Sequence, residues 1–143
     1  MPSRYRKGVF CIAYSLNPVR YLLLHRKFHW KGWEFPKGGR IAMEKEKNTA
    51  KRELREETGL NAIKIKRFPV RGRFVYDKKT QAEWKARGFS YALCSAEVKK
   101  GKVKLSKQEH DGYKWCAYSE ALKLLSWPER KKCLRIVNRA IKT

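Results

Sequence analysis

Acidic residues are scarce in this 143-residue chain: 13 Asp and Glu stand against 36 Lys and Arg, for a net charge of +23. Long apolar runs are absent, and none approaches the ~20 residues of a membrane span. The opening MPSRYRKG lacks the apolar core and small-residue cleavage site of a signal peptide, so a cytoplasmic protein is expected. Cysteine is limited to Cys11, Cys94, Cys116 and Cys133, with no C-x-x-C pair. That argues against a zinc site and a disulfide framework and favours buried, reduced thiols. The three histidines, His25, His29 and His110, show no metal-ligand spacing, and His110 reads as a surface residue. Repeats, low-complexity tracts and linkers are also missing, so residues 1–143 are expected to form a single domain. Five Trp, seven Tyr and six Phe within a 42% hydrophobic composition argue against disorder.

Because acids are rare, their placement carries information. Five of the 13 fall in residues 38–60, which read Gly38-x5-Glu44-x7-Arg52-Glu53-Leu54-x-Glu56-Glu57-x-Gly59-Leu60. Glu53, Glu56 and Glu57 are spaced i, i+3, i+4, which on a helix puts three carboxylates on one face. In so basic a chain this repulsion is avoidable, and a hard divalent cation held through oxygen ligands explains it. Ala50 and Leu54 would face the core, with the glutamates turned away from it. Gly59 suits the left-handed residue that ends a helix, and Arg52 stands four before Glu56, in reach of its carboxylate. Gly38 and Gly39 make a loop where backbone can approach phosphate or metal. A solvated surface helix with i, i+4 pairs would leave those flanking glycines without a purpose.

This window resembles the catalytic box of the Nudix hydrolase family, with every fixed position of the pattern filled. The resemblance implies an α+β fold in which a curved mixed β-sheet is sandwiched between helices. It also implies attack by water on a phosphorus of a nucleoside polyphosphate, assisted by Mg²⁺ or Mn²⁺. By that resemblance Glu53, Glu56, Glu57 and the carbonyl of Gly38 are metal ligands, Arg52 orients a glutamate, and Glu44 braces the loop. Lys37 is placed to meet a phosphate. Glu109, on a loop before the last strand, is the candidate for a fourth ligand or general base.

Trp33-x-x-Pro36-Lys37-Gly38, Glu109-His110 and Tyr113-Lys114-Trp115 are similar to motifs of the asymmetrical bis(5'-nucleosyl)-tetraphosphatases within that family. Gly39 and Met43 depart from the subgroup, which usually has His and Gly at those places. Tyr76 and Tyr113 are candidates to stack an adenine. The basic composition also suits RNA, which makes an RNA 5'-pyrophosphohydrolase the alternative, with housecleaning of nucleoside triphosphates a third.

Along the chain, Gly8 to Leu16 and Val19 to His25 read as a hairpin across an Asn17-Pro18 turn. A loop with a short extended piece at Trp33 to Phe35 leads to a helix from about Glu46 to Thr58. Strands are expected at Ala62 to Phe68, Arg73 to Tyr76, Gly88 to Val98 and Gly112 to Tyr118, with Asp77 to Arg87 a polar loop. Two helices close the chain. Ser119 would cap the first, and Ser126-x-x-Glu129 reads as a capping box for the second. The second carries an apolar stripe of Cys133, Ile136, Val137, Ala140 and Ile141.

Overall fold

The computed structural model describes residues 2–28, 30–106 and 108–142. Strands β1 (Tyr5–Ser15) and β2 (Arg20–Arg26) form the expected hairpin, with Asn17 at a φ of 64° in its turn. They stay paired only at their turn end, Tyr14 with Tyr21 and Ser15 with Arg20. Beyond that point they diverge and take different partners. Strand β1 pairs with β4 (Lys37–Gly39) and runs parallel to β6 (Gly88–Val98), while β2 pairs with β3 (Gly32–Glu34) and β7 (His110–Cys116). Strand β5 (Ala62–Val75) closes the far edge against β6. The divergence opens the sheet beside residues 37–39, which line a cleft.

β1 is buried on both faces, as expected of a strand beside a parallel neighbour. Val9, Cys11 and Ala13 pack with Ala50 and Leu54 of helix α1 (Glu46–Thr58). Phe10, Ile12 and Tyr14 face the opposite layer, which includes α3 (Tyr118–Leu124) and α4 (Pro128–Lys142). Helices thus cover both faces of a mixed sheet, an α+β sandwich. α1 ends where expected, at Gly59 with a φ of 74°, whose N–H bonds the Arg55 carbonyl. All four cysteines are buried and free.

Several local expectations fail for identifiable reasons. Residues 77–87, expected as a polar loop, contain helix α2 (Lys78–Trp84). Asp77 caps it by accepting from the Thr80 N–H at 2.8 Å. The helix buries no residue, so it leaves no apolar period in the sequence. β5 runs unbroken where two strands were expected, and absorbs Pro69 in a register shift between Arg67 and Arg71. β7 begins at His110, two residues early. Ser119 lies inside the first turn of α3, because Ala117 occupies the cap position without a side-chain bond.

Candidate active site

The cleft has a volume of about 610 Å³. One wall is the segment 37–39 with Glu53, Glu56 and Glu57 of α1; the rest comes from β1, Arg26 of β2, Trp30, β5, α2, β6, Ser106, Gln108, Glu109, and Trp127 with the start of α4.

Arg52 organises the box. Its Nε and Nη2 donate to both oxygens of Glu44 at 3.0 and 2.9 Å, a bidentate pair. The same Nη2 donates to the Gly39 carbonyl at 2.7 Å, and Nη1 donates to Glu53 at 2.7 Å. Glu56, the partner expected from i, i+4 spacing, is reached only at 3.4 Å. Glu44 also accepts from the Ile41 N–H and the Thr49 hydroxyl. The Arg52 hydrogen bond, against some desolvation, holds Glu44 down to about 2. One guanidinium therefore ties the box loop to the helix and aims Glu53 into the cleft.

The three glutamates differ more than their spacing suggests. Glu56 is 57% exposed and Glu53 is largely covered. Glu57, expected to turn away from the core, is 6% exposed. Its Oε1 accepts from the Lys37 N–H at 2.9 Å, while its Oε2 is buried without a hydrogen-bond partner. Burial pushes the Glu57 carboxyl well above its ordinary range; Lys37 opposes this, and Glu34 and Glu109 add to it. Burial also raises Glu53, against the pull of Arg52. Desolvation thus works against the charged form of both acids despite the nearby Lys37 and Arg52. Oxygen donors with an orphaned buried oxygen among them are what a hard divalent cation requires, so the residues fit one.

Gly38 has no room for a side chain: a Cβ there would lie 2.0 Å from the Glu53 carboxyl carbon. Its carbonyl, however, turns toward β1, where a Cβ on Gly8 would meet it at 2.1 Å. Strand alternation instead turns the Lys37 peptide groups to the glutamate side, as the Lys37 N–H to Glu57 bond shows. The Lys37 side chain lines the cleft, with Nζ 5.9 Å from the Phe89 ring. Glu109 stands on the rim, 47% exposed.

His110 is not a surface residue: it is 1% exposed at the first position of β7, where the strand turns its side chain inward. Its Nε2 donates to Glu34 at 2.8 Å and its Nδ1 lies 3.6 Å from Glu57 Oε2. Glu34 is itself buried and bonded by Arg26 at 3.2 Å and Arg130 at 3.4 Å. Burial alone would raise Glu34; Lys37, His110, Arg26 and Arg130 overcome it and bring the carboxyl down to about 2. Ligand atoms of Glu57, Glu109 and His110 fall within 4.8 Å of one another. His29 lies outside the described residues.

The buried Glu34–Arg130 pair is invisible to motif spacing, although signs of it exist. Glu34 is an acid between two aromatics on a strand. Arg130 stands three, four and seven residues before Cys133, Leu134 and Val137, on the buried stripe of α4.

Two aromatic groups line the cleft. Tyr76 accepts a bond from Arg6 at 3.1 Å, and the Arg6 guanidinium lies 3.7 Å from the centre of the Trp84 ring. Trp30 and Trp127 form an edge-to-face pair with centroids 6.0 Å apart. Tyr113 stands opposite Leu24 on β7 and is not part of the cleft lining.

A fold of this architecture, with an acid-rich helix and an arginine-braced glycine loop lining one cleft, defines a class of phosphate-handling hydrolases. Residues 4–135 match the NUDIX domain, and the chain belongs to the Nudix family. It is 31% identical over 119 residues to the asymmetrical bis(5'-nucleosyl)-tetraphosphatase of Mus musculus, covering 83% of this chain and 78% of that protein. It is 29% identical over 113 residues to the RNA pyrophosphohydrolase of Stutzerimonas stutzeri (strain A1501), covering 71% of each. Among solved structures, a Nudix hydrolase of Listeria monocytogenes superposes with a TM-score of 0.78 at 22% identity, covering 99% of this chain and 95% of that one. The protein is thus a Nudix hydrolase with an α+β fold.

Proposed function

We propose that this hydrolase cleaves a dinucleoside tetraphosphate asymmetrically, diadenosine tetraphosphate to ATP and AMP, with Mg²⁺ or Mn²⁺ bound at Glu53, Glu56 and Glu57. The observation that carries the metal reading is the buried, unpartnered Oε2 of Glu57 among crowded carboxylates. A divalent cation bound there neutralises phosphate oxygens and makes a coordinated water more acidic. The protein's own groups do the rest. Arg52 fixes Glu53, and the Lys37 ammonium offers positive charge to the phosphate chain. Glu109, on the rim, is the residue we assign either to the cation as a further ligand or to the attacking water as general base. The Tyr76–Arg6–Trp84 group and the Trp30–Trp127 pair offer flat surfaces to two bases, a demand that a dinucleotide makes and a mononucleotide does not.

A second reading, removal of pyrophosphate from triphosphorylated RNA, is favoured by a groove beside the start of α1. Lys7, Arg40, Lys45, Lys47, Arg67 and Arg71 line it with Glu44 and Glu46 against them, a basic excess suited to a nucleic-acid backbone. Separating products after incubation with Mg²⁺ decides between the two. ATP and AMP from the dinucleotide support the first reading. Pyrophosphate from the RNA with the dinucleotide left intact overturns it. Cleavage of neither substrate overturns both readings.

A further inference from the structure

The Nδ1 atom of His110 has no partner. Neither has Glu57 Oε2, which faces it, and both are buried. The other edge of the imidazole is settled. Glu34 is bonded by Arg26 and Arg130, so it is an anion that only accepts, and His110 Nε2 must be the donor across 2.8 Å. In the tautomer that donates from Nε2, Nδ1 is the lone-pair edge, and it faces a carboxylate oxygen 3.6 Å away. That gap exceeds the ~2.7–3.2 Å of an N–H to oxygen hydrogen bond. It is close to the ~3.4 Å that separates two donors about 2.1 Å from one ion at a tetrahedral angle. Glu109 brings a third ligand atom within 4.8 Å of the other two, on a half-exposed side chain that also lies 4.0 Å from Arg26 Nη1. A carboxylate that accepts from the far nitrogen of an imidazole is the usual brace of a metal-bound histidine, because it fixes the tautomer and raises the basicity of the ligating nitrogen.

From this geometry we infer that His110 Nδ1 is a nitrogen ligand of a divalent cation held with Glu57 and Glu109, and that Glu34 is its positioning residue. The inference rests on the metal reading above and adds to it a mixed nitrogen and oxygen donor set. Imidazole suits Zn²⁺, Fe²⁺ and Ni²⁺, whereas the preferred donors of Mg²⁺ are carboxylate, carbonyl and water oxygens. The Glu57 side of the cleft therefore selects a transition cation, while a site made by Glu53 and Glu56 alone would not discriminate in this way.

Pulsed EPR on the whole chain loaded with Mn²⁺ reads the ligand directly, without turnover. A bound imidazole gives nitrogen modulation, which changes frequency when the histidines carry ¹⁵N. This needs no mutation, so the outcome does not hang on a variant that fails to fold. His110→Gln is expected to abolish the modulation and to shrink the preference for Zn²⁺ over Mg²⁺ measured by competition titration. Glu34→Gln keeps the modulation but weakens Mn²⁺ binding ~10–100-fold, the effect of losing such a brace. Tightly bound Mn²⁺ with no nitrogen signal overturns the role of His110 and leaves the oxygen-ligated site intact. Failure to bind Mn²⁺ at all overturns both.

Discussion

Replacing Glu57 by Gln separates the energetics of the site from those of the fold. The side chain keeps its shape, and its amide oxygen still accepts from the Lys37 N–H that bonds Oε1 at 2.9 Å. What disappears is a charge that burial disfavours. The metal-free variant is therefore expected to be at least as stable as the native chain at neutral pH, an unusual result for a buried substitution. The sign follows from linkage. The folded carboxyl titrates above the unfolded one, so its contribution is fully present below about pH 4.3 and declines as pH rises through the folded value. A melting series from pH 4 to 8 without metal should slope downward in the native chain and less so in the variant. A divalent cation should raise the native Tm and hardly move that of the variant. Turnover goes the other way. Breaking a buried charge pair costs about 3–5 kcal/mol, which is ~10²–10⁴-fold in rate if the pair is needed only when the phosphate reacts. Turnover within a few-fold of native would remove Glu57 from the chemistry. A variant much less stable than the metal-free native protein would show that the carboxylate is satisfied by the fold itself.

Other substitutions test the supports of the site. Arg52→Lys cannot form the fork to Glu44 while also reaching Glu53 and Gly39; a loss of about 1.5–3 kcal/mol is expected in urea unfolding, with reduced turnover. The Arg52–Glu44 pair should also show in acid. Glu44 is held down to about 2, so its stabilisation is lost as pH falls toward that value, and Arg52→Lys should unfold at higher pH than the native chain. Arg130→Met leaves the buried Glu34 with Arg26 and His110 alone, at an expected cost of about 3–5 kcal/mol; an unchanged urea midpoint would show that Arg130 is dispensable there. Gly38→Ala drives a methyl into the Glu53 carboxyl, so divalent-ion affinity measured by calorimetry should fall while far-UV circular dichroism stays native.

Local patterns were legible wherever one segment fixes its own structure. α1 runs from Glu46 to Thr58 as read, because Ala50 and Leu54 mark its buried side and Gly59 its end. β6 spans Gly88–Val98 as read, because its run of β-formers is nearly continuous. α2 was missed because nothing on it is buried, and β4 because three residues carry no period. His110 was misplaced for a different reason. On its own element it follows two polar residues in a loop-like stretch, and only the register of β7 with Arg26 of β2 turns it inward. The same holds for Arg52, whose main partner, Glu44, lies eight residues away across a loop rather than four along the helix.

The scarcity of acids has a physical consequence at the cleft. Glu53, Glu56, Glu57 and Glu109 converge on one side of it, inside a chain whose net charge is +23. The long-range field draws polyanions in, but at contact distance a phosphate chain meets four carboxylates. Two like-charged surfaces in a partly desolvated cleft repel by several kcal/mol unless something lies between them. On the proposed reading, a cation is then required for binding as well as for chemistry. Dinucleotide affinity measured on the metal-stripped protein should be weak and should strengthen as Mg²⁺ or Mn²⁺ is added. For Glu57→Gln, which removes one of the four charges, affinity should depend less steeply on the ion. If the stripped native protein bound the dinucleotide as tightly as the loaded one, the carboxylates would not face the phosphates and the metal would have no place between them.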